Sequence, residues 1–114
     1  MPYIEIKTSV KLTDEMTRAL KEAFADAITL IPGKSEQWLM LGFEVGKKMA
    51  FRGDMESDCA MLEVDVFGAA ADEAYDALTE RLCQVVSRIL GIRSDRIYVK
   101  YRECDRWGYN GFNF

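Results

Sequence analysis

The sequence predicts an α/β domain: a four-stranded mixed sheet with two helices on one face, made from two copies of a strand–helix–strand unit. Three observations carry this. Apolar and polar residues alternate over residues 3–7, 62–66 and 97–101, the period of a strand with one buried face. Two stretches of helical spacing intervene, each long enough to cross back over a sheet, and such crossovers join parallel strands. The halves also match in detail. Ser35-Glu-Gln-Trp-Leu-Met follows Ile31-Pro-Gly as Ser94-Asp-Arg-Ile-Tyr-Val follows Ile89-Leu-Gly. The 114 residues make a single domain, 1–114.

In the first unit Ile4 and Ile6 point one way and Tyr3, Glu5 and Lys7 the other. Thr13 is placed to cap a helix, with Asp14 and Glu15 in its first turn, where the helix dipole favours carboxylates. Met16, Leu20, Phe24, Ile28 and Ile31 recur at helical spacing until Pro32-Gly33 stops the helix. Residues 38–45 are a mostly apolar run of strand length, closed by Gly46. Residues 47–57 are polar apart from Met49-Ala50-Phe51 and read as a loop or short hairpin arm. In the second unit Gly68 ends the strand. A helix over 72–90 presents Tyr75, Leu78, Leu82, Val86 and Ile89 on one face, with Gly91 just past its end. The tail, 107–114, is rich in aromatics and Gly and has no clear period. Two helices on one side leave the other sheet face bare. Trp38, Met40, Phe43 and several valines are expected to make it apolar, which predicts an oligomer that covers it.

Composition excludes several classes of function. The chain is 49% hydrophobic and 30% charged, a globular balance. No apolar run approaches the ~20 residues of a membrane span. Glu5 stands where a signal peptide would have its apolar core, so export by that route is not expected. A net charge of −4 argues against a nucleic-acid binder, which carries a basic face. There is no histidine, so Ser-His-Asp and Cys-His pairs and His-built metal sites are unavailable. Cys59, Cys83 and Cys104 form no CxxC. Such a scattered set suits free thiols in a reducing compartment, hence the cytoplasm. What remains for chemistry is carboxylates, lysines, tyrosines, backbone groups and the chain terminus. No metal and no organic cofactor is expected.

One ordered set of residues runs through the whole chain: Met1-Pro2, Pro32-Gly33-Lys34, Met49-Ala50-Phe51, Cys59-Ala60-Met61, Ser94-Asp-Arg-Ile-Tyr98 and Gly108-Tyr109-Asn110. In this order and at these spacings the chain resembles the tautomerase superfamily, and within it the macrophage migration inhibitory factor branch. The resemblance implies a homotrimer with sites at subunit interfaces and keto–enol tautomerisation of small α-keto acids of the phenylpyruvate type. It leaves open other proline-based reactions, such as decarboxylation or hydration of unsaturated acids. It also leaves open a non-enzymatic binding role, since animal relatives act as secreted cytokines.

The resemblance makes Pro2 the general base, freed when Met1 is removed. Its chemistry suits the task. A free prolyl nitrogen is a secondary amine, burial or a nearby cation lowers its pKa, and a base works best with a pKa near the operating pH. Read without the resemblance, Pro2 simply starts a strand. By the same likeness Lys34 binds the substrate carboxylate, although a lone Gly-Lys is most often a surface turn. Phe67 contributes its backbone N–H, and Tyr98 reaches a neighbour's pocket to hydrogen-bond the keto or enol oxygen. Tyr3, Trp107, Tyr109 and Phe114 wall the pocket. Two positions depart from the animal pattern. Leu62 stands where a second cysteine would complete a CxxC. Lys100 replaces an asparagine on the strand face of Tyr98. Lys100 is expected either to bind a more anionic substrate or to pair with Glu103 or Asp105.

Overall fold

A computed structural model describes residues 1–114. The chain runs β1 (Pro2–Thr8), α1 (Asp14–Ala27), β2 (Met40–Glu44), β3 (Ala60–Phe67), α2 (Asp72–Leu90), β4 (Ile97–Cys104), then the short strands β5 (Gly108–Tyr109) and β6 (Phe112–Asn113). The sheet order is β2-β1-β3-β4. Within each unit the two strands are parallel, and β1 meets β3 antiparallel at the centre. The sheet is therefore mixed, and the internal repeat is real. The starts Pro2 and Ala60, Asp14 and Asp72, and the single 3-10 turns Glu36–Trp38 and Ser94–Arg96, all stand one constant offset apart.

The core lies between the sheet and the two helices. Ile4, Ile6, Leu62, Val64 and Val66 meet Leu20, Phe24, Leu78, Leu82 and Val86, and all are buried. Thr13 caps α1 as its position predicts, its hydroxyl accepting from the Met16 N–H at 3.1 Å. The helix stops sooner than its apolar spacing suggests. It ends at Ala27 and tightens into a 3-10 turn over Ile28–Leu30. Pro32 explains the change, because the residue before a proline is pushed out of the helical region, and Ile31 is extended. Gly91 ends α2 in the left-handed conformation. No helix is long and apolar enough to cross a membrane. All three cysteines are free; Cys59 is buried and the other two are half-buried.

Two loops expected without detail are tight hairpins. Asn110 and Gly111 both take positive φ between β5 and β6, and so do Arg52 and Gly53 between Phe51 and Asp54. Two consecutive left-handed residues are the mark of the turn that suits strand twist. The 110–111 Asn-Gly pair is its strongest sequence signal.

The bare sheet face corrects an expectation. It is charged, not apolar. Leu41 and Phe43 turn toward the helices and the strand valines pack in the core. The helix-free face carries an ion-pair ladder instead. Glu63 receives Lys7 at 3.0 Å and Lys100 at 2.9 Å, Lys7 also meets Glu5 at 3.4 Å, and Arg102 clasps Asp65 at 2.7 Å. The large apolar side chains left exposed lie off the middle of this face: Trp38, Met40 and Val45 on and beside β2, Met55 in the following loop, Tyr98 on β4, and Tyr109, Phe112 and Phe114 in the tail. The argument from an uncovered greasy face therefore fails, because neighbouring strands supply each other's counter-charges.

Two measurements follow from this packing. Phe24→Ala should destabilise by about 3–5 kcal/mol in chemical denaturation, since its ring is enclosed on all sides. The second concerns Glu63, whose carboxyl is held at about 2, first by Lys100 and then by Lys7. A carboxylate depressed in the folded state stabilises above its unfolded pKa, and that stability is lost as pH falls through the folded value. Glu63→Gln should thus be less stable at pH 7 by about 1–2 kcal/mol. The gap should close between pH 4.5 and about 2. A gap that does not vary with pH would mean the two lysines do not hold this carboxylate.

Candidate active site

Proline cannot donate to a sheet ladder, yet Pro2 lies in a central strand. It is tolerated because it is the first residue of that strand. Pro2 is buried opposite Val66. One step further along, the antiparallel ladder continues onto Met1, whose carbonyl accepts from the Phe67 N–H at 2.9 Å. The Phe67 carbonyl in turn takes the Lys34 ammonium at 2.8 Å. The two backbone groups of Phe67 thus hold the start of the chain and a lysine side by side. Burial, and then the neighbouring Lys34 charge, lowers the pKa of the Met1 amine from its ordinary 8.0. This corner of the fold favours a neutral amine.

A cleft of about 580 Å³ opens over the same point, lined among others by Pro2, Tyr3, Trp38, Asp65, Trp107 and Tyr109. A second hollow of about 330 Å³ adjoins it through Met1 and Trp38 and reaches Phe67 and Phe114. Aromatic contacts stiffen the walls. Trp38 meets Tyr109 edge-on at 5.2 Å, Phe67 meets Phe114 at 5.9 Å, and Tyr109 stacks on Phe114 at 6.3 Å. The hairpin of β5 and β6 carries the last of these residues back to the start of the chain. Tyr3 donates its phenol hydrogen to Glu5 at 3.0 Å. Burial first, and then Glu5, raises its pKa. The phenol oxygen crosses directly over Gly42, where any Cβ would collide with it.

The structure therefore brings together Pro2, Tyr3, Lys34, Phe67, Trp107, Tyr109 and Phe114. It does not bring Tyr98 to them. Tyr98 pairs with Met61 and Pro2 with Val66, a separation of roughly 16 Å along the strand. Lys100 shares the helix-free face with Tyr98, but its partner is Glu63; Glu103 and Asp105 do not hold it. Glu103 instead accepts from Tyr75 at 2.7 Å.

Several cleft residues escape a reading of the sequence. Trp38 looks like the first residue of a strand, but a 3-10 turn over Glu36–Trp38 swings it onto the cleft. The matching Ser94-Asp-Arg in the other half was the available signal. Gln37 arrives on the same turn. Asp65 lies on the polar side of its strand with nothing local to mark it, and its bidentate partner Arg102 comes from the neighbouring strand.

These features define a class: a doubled βαβ domain with an aromatic cleft built around the amine end of its first strand. The whole chain, residues 1–114, matches the family model for macrophage migration inhibitory factor (MIF), and the chain belongs to that family. It is similar to the macrophage migration inhibitory factor of Xenopus laevis, with 24% identity over 116 residues, covering 100% of this chain and 99% of the relative. Among solved structures it is similar to Leishmania major MIF2, with 29% identity and a TM-score of 0.93 over 100% of this chain and 97% of that one. It is also similar to the homologue from Prochlorococcus marinus, with 30% identity and a TM-score of 0.87 over 98% of each chain.

The electrostatics of this corner can be measured directly. In protein that keeps Met1, Lys34→Gln should raise the pKa of the terminal amine, because a neighbouring positive charge is removed. The value should stay below 8.0, because burial is the larger cause. Carbon-13 chemical shifts of Met1 followed through a pH titration give the answer. An unchanged pKa would separate Lys34 from the amine.

Proposed function

We propose that the chain, once Met1 is removed, is a keto–enol tautomerase of small 2-oxo acids of the phenylpyruvate type, with Pro2 as general base. The supporting observation is the convergence of the Phe67 N–H and the Lys34 ammonium on the start of β1. Removing Met1 converts the Pro2 nitrogen from an amide into a secondary amine. It also vacates the position of the Met1 carbonyl, leaving the Phe67 N–H free to donate. The surroundings that lower the Met1 amine then act on Pro2, and a base whose pKa lies near the operating pH is the effective one.

The reaction needs only proton transfers. Lys34 binds the carboxylate as a compact cation. The neutral Pro2 nitrogen takes a proton from the carbon beside the ketone, and the C–H electron pair becomes the C=C bond of the enolate. Negative charge collects on the former ketone oxygen, where the Phe67 N–H and the phenol of Tyr98 meet it. The proton on Pro2 is then returned to that oxygen. Tyr3, Trp38, Trp107, Tyr109 and Phe114 hold the aryl group.

The reading includes a homotrimer. Tyr98 lies too far from its own Pro2 to act there, so a neighbouring subunit supplies it. Both outer strands, β2 and β4, end the sheet with an open backbone edge, and most of the exposed large apolar residues lie along those margins and the tail hairpin. Lys100 would travel with Tyr98 to the neighbouring site. Because Glu63 holds its charge, a second carboxylate on the substrate gains little from it.

Two experiments test the proposal. Sedimentation should give a species near three times 13.0 kDa, and a stable monomer at micromolar protein would remove Tyr98 from the site. Protein shown by mass to lack Met1 should interconvert keto and enol phenylpyruvate. Pro2→Ala should lower that rate by about 10²–10⁴, and protein retaining Met1 should be silent. Full activity in Pro2→Ala would make Pro2 a strand residue and nothing more.

A further inference from the structure

Arg96 closes the 3-10 turn ahead of β4 and is only 8% exposed. A buried arginine ordinarily meets a carboxylate. Here Asp54, its carboxylate neighbour, is 3.7 Å away, and the guanidinium works on main-chain carbonyls. Nε donates to Asp58 at 2.9 Å and Nη1 to Phe51 at 3.1 Å. Nη2 donates to Asp54 at 3.1 Å and to Ser57 at 2.9 Å. All four acceptors belong to one loop. Only a planar fork of donors can reach them together, and a lysine cannot.

The loop needs such support. Phe51 and Asp54 exchange N–H···O bonds at 3.0 Å around a turn in which Arg52 takes φ 55°. That conformation is costly for a side chain of this size and persists where its surroundings hold it. Arg96 donates to the carbonyls of both closing residues, so the hairpin cannot open without breaking those bonds.

What the loop carries is Phe51. The Arg96 guanidinium lies 5.4 Å from the centre of its ring. The ring's other neighbour is Tyr98, with centroids 4.8 Å apart. Tyr98 is 61% exposed, and its hydroxyl makes no hydrogen bond within the chain. The contact with Phe51 is therefore what sets its ring. We infer that Arg96 is a positioning residue that orients Tyr98 for the neighbouring subunit's site, acting through Phe51. A phenol lent to another subunit has to be aimed before the subunits meet, since a misplacement of about 1 Å can cost ~10²-fold in rate.

The catalytic arm of the test rests on the tautomerase reading; the spectroscopic arm does not. Protein labelled with 3-fluorotyrosine gives one fluorine-19 signal per tyrosine, and loss of a signal in Tyr98→Phe assigns Tyr98. In Arg96→Lys and in Phe51→Leu the Tyr98 signal should move toward that of free fluorotyrosine, while those of Tyr3, Tyr75, Tyr101 and Tyr109 stay in place. A Tyr98 signal unmoved in both folded variants overturns the inference. Phe51→Leu decides alone if Arg96→Lys does not fold.

In processed protein, Arg96→Lys should lower kcat for phenylpyruvate about tenfold with little change in KM. It should cost nothing further in a Tyr98→Phe background. Losses that multiply in the double variant would show that Arg96 does not act through Tyr98, and would overturn the inference. A native protein with no tautomerase activity rejects the reading of the site, and the Tyr98 signal then decides the inference by itself.

Discussion

The antiparallel pairing of β1 with β3 is the constraint on which the rest of the molecule depends. It joins two self-similar units whose β1 and β3 edges would otherwise stand unpaired. Its register sets Ile4 and Ile6 beside Val64 and Leu62 under the helices, and sets Pro2 against Val66. A slip of one residue would turn Tyr3, Glu5 and Lys7 into the core and expose the isoleucines. It would also move the first residues of the chain away from Phe67. The packing that stabilises the fold therefore fixes the amine end of the chain beside Lys34, and core and cleft cannot be adjusted separately.

Much of this was visible in the residues. Period-two alternation located three strands, and helical spacing with a Thr cap and a terminal Gly located both helices. The repeat around Ser35 and Ser94 gave the topology. The faces were harder. Residues 38–45 were apolar enough to pass for one strand, because nothing local separates a 3-10 turn from a strand start. The helix-free face was misjudged because ion pairing is a property of register. Glu63 is unremarkable along the chain and becomes the hub of the sheet only when Lys7 and Lys100 are laid on either side of it. The role of Phe67 is equally hidden, since it resides in backbone groups, and family resemblance was the only pointer to it. Arg96 looked like one member of a motif, and its four carbonyl partners lie far back in sequence.

The arrangement also bears on the proposed function, which asks a chain without histidine to present a base. Few groups titrate near neutrality, and the amine at the start of a chain is one of them. It is normally solvated and mobile. Here the central ladder immobilises it, the tail hairpin roofs it with aromatic rings, and a lysine whose own position is fixed by a backbone carbonyl stands beside it. Each device is ordinary. Their combination orients and partly desolvates the amine, which is what the proposed base would require.

The ion-pair ladder has a consequence for encounter rates. Charges that close on their neighbours cast almost no field into the solvent, so the helix-free face neither gathers nor repels ions at a distance. What an approaching anion senses instead is the whole molecule, which carries a net charge of −4. Any small anion therefore meets a mildly repulsive far field and feels Lys34 only within about a Debye length, ~10 Å at 0.1 M salt. Attraction toward this corner of the molecule is short-ranged. Moderate salt should hasten arrival by quieting the long-range repulsion, and should slow it only when concentrated enough to mask Lys34 itself.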